Sequence, residues 1–356
     1  MDVLVVFGGY RPGFAGAERM AWRTTEQLAA LGHRVAMLTD SARPDGMAPP
    51  YWPVFATPSD VDHHYRRTAP DVVHAFDLAK PDHVDFAAGL AARYGVPFAL
   101  TPCSAPGVWP DRERCAAACR AADVVFALTL SEVDDLAAAG APARRIRVIP
   151  HAADLGDGPR PERFRREHGL SERSVLFVGR RTAFKGYAAL LETTRLVWRT
   201  LPDTDFVFAG PNSDADAAER FRAHAGPRVH DLGVVDEPTK HDALAACSVF
   251  CLPTSVDVFP LVFLEAWACG KPVVSGDFAG VEHVVRAGVD GLVVRPRPPE
   301  LAAALTWLLT DTDARDALGR AGRDRVSREH GWAKVAGAVE DGYATITATM
   351  MRQDTA

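Results

Sequence analysis

Short apolar runs rich in β-branched residues alternate with stretches of helical period along almost the whole chain, and this alternation constrains the fold more than any other feature. VLVVFGG (3–9) is followed by a helical pattern near 16–31 and then by HRVAMLTD (33–40). DVVHAFD (71–77), a helix near 81–94, VPFALTP (96–102), a helix near 110–121, DVVFALT (123–129), SEVDDLAAAG (131–140) and IRVIP (146–150) continue the rhythm. Strands separated by helices in this way form a parallel sheet covered by helices.

HAADLGDGPRPERFRREHGL (151–170) interrupts the alternation with glycine, proline and charge, and reads as an interdomain connection. A second series opens at SVLFVGR (174–180), with a helix near 186–200, DFVFAG (205–210), a helix near 214–224 and RVHDLGVV (228–235). A helix at 238–246, SVFCLPT (248–254), KPVVSG (271–276) and DGLVVRP (290–296) complete it, and helices at 299–309, 311–329 and 331–349 form the tail. The expected architecture is α/β, with two doubly wound, Rossmann-like parallel-sheet domains facing a central cleft. Their expected limits are 1–155 and 156–330, with 331–356 packing back on the first. A chain of 356 residues is long enough for two such cores.

Composition narrows the partners. A net charge of -6 and a pI near 6.1 argue against nucleic acid, which calls for a basic stripe. No run approaches the 18 or more apolar residues of a membrane span, and MDVLVVFGG enters a strand with no basic leader. Only five of the 40 basic residues are lysine, the usage of a GC-rich genome. Cys115/Cys119 and Cys247/Cys251 are each one helical turn apart, but in alanine-rich segments they read as small apolar filler in a reduced, cytoplasmic setting.

The stretch SVDVFPLVFLEAWACGKPVV (255–274) carries the chemistry. Pro260 suits the first turn of a helix and Gly270 the position past its end, so Asp257 lies in the preceding loop and Glu265 inside the helix among Leu261, Val262, Phe263, Leu264 and Trp267. A carboxylate in such company needs a partner or a cleft. The helix start offers unpaired N–H groups to a phosphate, while an acid in that loop is better placed to receive hydroxyls. Sugar hydroxyls beside a diphosphate satisfy both demands. An acid complementing the helix dipole plus a buried acid paired with an arginine is the structural alternative.

VGRRTAFKGY (178–187) adds Arg180 and Lys185 around a short loop at another helix start, and GGYRPGFAGAERM (8–20) is a glycine-bearing turn after the first strand. That turn lacks the full GxGxxG spacing, and Asp40 is a faint candidate for a ribose-binding acid. His74 ends a strand and is a candidate general base or acceptor ligand, with a packed core histidine as the equal alternative. DxD occurs at 203–205, 214–216 and 311–313, where turns and helix caps explain it better than a metal site. The basic cluster 160–168, His63-His64 and Arg66-Arg67 could touch anionic lipid, but their charges alternate with acids and carry no sustained apolar face, so membrane association is not favoured.

These residues together resemble the retaining glycosyltransferases of family 4, which have the GT-B fold. The likeness runs through P-x3-GAER (12–19), GHRVAMLTD, PDVVHAFD, GVPFALTP, VIPHAADL, VGRRTAFKG, the D-x7-E stretch with EAWACGKPVV, and DGLVV. It implies that Glu265 binds the ribose of a nucleotide and Asp257 the donor sugar, with Arg180 and Lys185 clamping the diphosphate. The backbone of Val258, Phe259, Leu261 and Val262 would bind sugar hydroxyls and phosphate, and Gly16 would let the amino-terminal turn approach the donor. It further implies a UDP- or GDP-sugar donor, no obligatory metal or cofactor, and domain closure.

The chain departs from the family pattern at several positions. Asp257 replaces the usual first glutamate, Pro260 a common glycine, Cys103 the histidine of a TPH triplet, His151-Ala152 an Asn-Gly pair, and AGAER has one glycine of two. The resulting expectation is a hexose-type transfer to a small-molecule acceptor held mainly by residues 1–150. The alternatives are a lipid or cell-envelope acceptor, a glycoside hydrolase, a nucleotide-sugar epimerase and a non-catalytic GT-B partner protein. The oligomeric state is not readable from the sequence.

Overall fold

The computed structural model describes residues 1–9, 16–43, 47–154 and 158–353. The chain divides into two compact units, one of Met1–His151 with the carboxyl-terminal segment from Gly331, the other Ala152–His330.

The first unit runs β1 (Asp2–Phe7), α1 (Gly16–Ala30), β2 (Arg34–Thr39), β3 (Val54–Phe55), α2 (Pro58–His64), β4 (Val72–Phe76), α3 (Pro81–Tyr94) and β5 (Phe98–Thr101). It continues through α4 (Arg112–Ala121), β6 (Val124–Ala127), α5 (Leu130–Ala138) and β7 (Ile146–Val148). The strands are all parallel, in the order β3-β2-β1-β4-β5-β6-β7. Val3–Phe7 and every residue of β4 are buried, as expected of central strands covered on both faces. β3 and α2 fall in a stretch that the alternating pattern leaves unassigned. α2 is set by a local device, the Thr57–Asp60 capping box with Pro58 in the first turn.

The second unit's first helix is α6 (Pro161–His168), inside the segment read as the interdomain connection. Pro161 opens this helix, left-handed Gly169 closes it and Phe164 is its buried anchor, which together outweigh its density of charge. Next come β8 (Ser174–Val178), α7 (Tyr187–Val197), β9 (Asp205–Ala209), α8 (Ala217–Ala223), β10 (Val229–Gly233), α9 (Glu237–Ala246) and β11 (Val249–Leu252). α10 (Leu261–Ala268), β12 (Val273–Ser275), β13 (Gly291–Val293), α11 (Pro298–Thr310) and α12 (Thr312–Glu329) follow. The sheet is parallel, in the order β10-β9-β8-β11-β12-β13. Strand order reverses between β8 and β11, so the loops leaving their carboxyl ends diverge and open a crevice there.

The last helix, α13 (Trp332–Gln353), belongs to the first unit. His33 pairs with Glu340 at 2.9 Å, and Arg147 donates to Thr345 at 2.9 Å. Gly342 lets the helix approach closely, since a Cβ there would sit 2.5 Å from the Phe126 ring.

Candidate functional site

The crevice after β8 and β11 gathers the charged residues that the sequence singled out in this unit. β8 ends in Gly179-Arg180-Arg181, and the two arginines part ways. Arg180 is exposed, whereas Arg181 is buried, donates to Asn212 at 2.6 Å, pairs with Asp231 and lies over the Phe221 ring. Arg181 therefore ties the β8, β9 and β10 ends together, and Arg180 remains on the surface of the loop.

A 3-10 turn, Ala183–Lys185, carries Lys185 and ends at Gly186, whose φ of 74° is left-handed. A Cβ on Gly186 would stand 2.2 Å from the Pro253 carbonyl oxygen, so only glycine allows this loop to lie against the end of β11. The Phe184 carbonyl then accepts from Ser255 N at 2.7 Å and Thr254 Oγ1 at 3.1 Å. With the two loops stitched in this way, Lys185 Nζ donates to Asp257 Oδ2 at 2.5 Å, their side chains 17% and 14% exposed. Asp257 Oδ1 also accepts from the N–H of Val258 at 3.2 Å.

α10 starts one residue later than the sequence suggests. Pro260 is its flanking residue, with ψ 107°, instead of a member of its first turn, because its backbone is extended where the loop enters the helix. The helix start has no side-chain cap, so the first N–H groups at Leu261 and Val262 are left for an outside acceptor. Phe259 is buried beside the His330 ring, while Val258 and Val262 are half-buried. Trp267 anchors the far end by donating to the Asp290 carbonyl at 2.7 Å, with Arg325 over its ring.

Glu265 is 2% exposed. Its partner is a lysine on α9, not an arginine: Lys240 Nζ donates to Glu265 Oε1 at 2.9 Å and lies 2.8 Å from Glu237 Oε2. Glu237, His241 and Glu265 approach closely enough to hold a cation, with ligand atoms within 4.8 Å of one another. Lys240 already supplies a positive charge to both carboxylates. Lys240 escaped the sequence reading because α9 lies about a turn and a strand upstream, and no local pattern marks which of its faces meets α10.

Two sequence families account for nearly the whole chain. The family described as Glycosyltransferase Family 4 matches residues 14–157, and Glycosyl transferases group 1 matches 160–325. This chain belongs to the family 4 type of GT-B glycosyltransferases. It is 32% identical over 250 residues to the D-inositol 3-phosphate glycosyltransferase of Xylanimonas cellulosilytica, covering 64% of this chain and 58% of that one. It is also 32% identical over 181 residues to the phosphatidyl-myo-inositol mannosyltransferase of Mycobacterium tuberculosis, covering 49% and 47%. The chain thus spans about half the length of the curated relatives it matches. In fold it is similar to the crystal structure of Anabaena Alr3699/HepE in complex with UDP and glucose, with a TM-score of 0.79 at 17% identity over 97% of this chain and 100% of that one.

In this GT-B chain the other candidates fall outside the crevice of the second unit. Of the two readings of His74, general base or packed core histidine, the structure shows the second: it is 0% exposed, with Nδ1 2.6 Å from the Tyr343 hydroxyl and Nε2 2.8 Å from Thr101 Oγ1. α13 closes over it, and burial lowers its pKa to about 3. A neutral imidazole has one N–H and one lone pair, and these two hydroxyls occupy both, so no base is left to offer. Gly16 is the exposed first residue of α1, and residues 10–15 of the turn before it lie outside the described residues. Asp40 Oδ1 accepts from Gly9 N at 2.6 Å, joining the loops that follow β1 and β2.

Four of the six DxD acids have structural roles. Asp203 pairs with Arg173, Asp205 with Arg228 and His230, Asp216 with Arg220, and Asp311 caps α12. Two basic residues of α6 pair with acids of the same helix, Arg163 with Glu167 and Arg165 with Glu162. All six cysteines are thiols, with four buried, and burial pushes Cys119 up to about 12 and Cys247 up to about 11. Cys103 holds a left-handed φ of 57° at the carboxyl end of β5, and burial, with Asp77 and Glu132 nearby, raises its thiol pKa. No helix among the described residues is long and apolar enough to cross a membrane.

Proposed function

We propose that the chain transfers a hexose-type sugar, with retention, from a nucleoside diphosphate donor carrying UDP or GDP to a small polyol acceptor held by the first unit. The observation that carries this reading is the Lys185–Asp257 pair, set beside an uncapped helix start at the point where the sheet reverses its strand order. Lys185, Arg180 and the N–H groups at the start of α10 take the negative charge that builds on the departing diphosphate. Asp257 receives donor-sugar hydroxyls, Glu265 receives ribose hydroxyls, and the backbone of Val258 and Phe259 completes the cradle.

Catalysis in this scheme is positioning plus charge stabilisation, with the acceptor hydroxyl attacking from the leaving-group face and passing its proton to the donor phosphate. No metal is assigned a step. His74 has no part in it, because both ring nitrogens serve the core. The likeness to a D-inositol 3-phosphate glycosyltransferase favours a small polyol acceptor. The phosphatidylinositol relative supports a second reading in which the polyol is a lipid headgroup.

The test is thermal stability with UDP, GDP, ADP and dTDP and their sugars. A ligand at a hundred times its dissociation constant adds about 2.7 kcal/mol. One nucleotide should stabilise the wild type and fail with Glu265→Ala, after which acceptor screening with that donor and NMR of the product anomer check transfer and retention. If no nucleotide stabilises the protein, the reading fails and a non-catalytic partner role takes its place.

A further inference from the structure

Glu265 poses a problem that the donor-site reading leaves unsolved. A carboxylate 2% exposed inside an apolar helix is costly unless paired, yet a ribose ligand must keep an oxygen for the sugar. Lys240 answers both demands. Its ammonium is bound to Glu265 Oε1 at 2.9 Å and to Glu237 Oε2 at 2.8 Å, so two carboxylates hold it in place. No hydrogen bond within the described residues reaches the other oxygen of Glu265.

We propose that Lys240 is a positioning and specificity-determining residue of the donor site, holding Glu265 by one oxygen so that the other accepts the ribose hydroxyls. The proposal rests on the donor-site reading above. The charges of Glu237, Lys240 and Glu265 sum to one negative charge, which suits neutral hydroxyls and repels phosphate. The diphosphate is thereby directed to the Lys185 loop, and the ribose to α10. His241, 3.5 Å from Glu237, and Cys269 on the turn after α10 are further titratable neighbours of the group. A purely structural Lys240 would join α9 to α10 without affecting ribose recognition.

The experiment measures affinity by calorimetry for UDP and GDP against their 2′-deoxy and 3′-deoxy forms, with inorganic pyrophosphate as control. The wild type should favour the ribonucleotide about tenfold or more. Lys240→Met should bring the ratio to within about twofold of unity, Lys240→Arg should restore most of it, and pyrophosphate binding should be unchanged in both variants. A wild-type ratio in Lys240→Met overturns the proposal while leaving the donor site intact. An unchanged ratio in Glu265→Ala overturns the donor-site reading itself. Should Lys240→Met fail to fold, Lys240→Gln, which retains a hydrogen-bond donor without the charge, must lower the ratio in the same way, and a wild-type ratio there is equally fatal.

Discussion

The first unit buries a polar cluster and the second buries a charged one, and they are built on opposite principles. His74, Tyr343 and Thr101 are neutral groups on three elements, and their hydrogen bonds close on one another inside the core. Lys185–Asp257 and Lys240–Glu265 are ion pairs flanking an uncapped helix start, and the first pair keeps part of each side chain in solvent. A closed neutral network stabilises and does nothing else. An ion pair at a crevice can exchange a protein partner for a ligand, because the new contact replaces the old one without stranding a charge.

That contrast is open to direct attack. The largest effect is expected from Lys185→Ala, which should lower kcat/KM for sugar transfer by about 10²–10³ while leaving the unfolding midpoint nearly unchanged. An equal loss of stability would make the pair structural. Gly186→Ala should follow, since its Cβ would collide with the Pro253 oxygen from a left-handed backbone. We expect a loss of about 2–3 kcal/mol in urea denaturation together with weaker diphosphate binding, because the two loops must separate. Undisturbed binding would mean the loops are not coupled.

Tyr343→Phe should cost about 1–2 kcal/mol of stability by stranding one ring nitrogen of His74, with nucleotide affinity unchanged. A drop in nucleotide affinity would show that the two regions communicate. The gentlest probe is pH. His74 has its pKa lowered to about 3 against 6.5 in the unfolded chain, so the unfolded state binds more protons between these values. Its contribution is complete above about pH 6.5 and is lost as pH falls toward 3, at up to about 1.4 kcal/mol per pH unit. Denaturation curves across that range should show this slope in the wild type and lose it in His74→Gln.

Much of this was legible locally. The βα alternation foretold two parallel sheets, and Gly270 marked the end of α10, where it adopts a φ of 68°. The spacing of Asp257 and Glu265 around a helix start was likewise visible, although Pro260 proved to flank the helix instead of opening it. The helix α6 inside the connection at 151–170 went unread because the segment's charge density hid a single buried residue, Phe164, which suffices to anchor it.

Determined by the sequence alone were the fold class, the family and the loops that carry charge, since each rests on periodicity, turn chemistry and motifs within a few residues. Tertiary structure decided where the members of those motifs are placed. Arg181 is taken into the core while its neighbour Arg180 stays on the surface, and Glu265 meets a lysine 25 residues away. His74 is sealed by a tyrosine 269 residues further along the chain. Such partners are chosen by how helices pack over a finished sheet, and no interaction between neighbours in sequence encodes that choice.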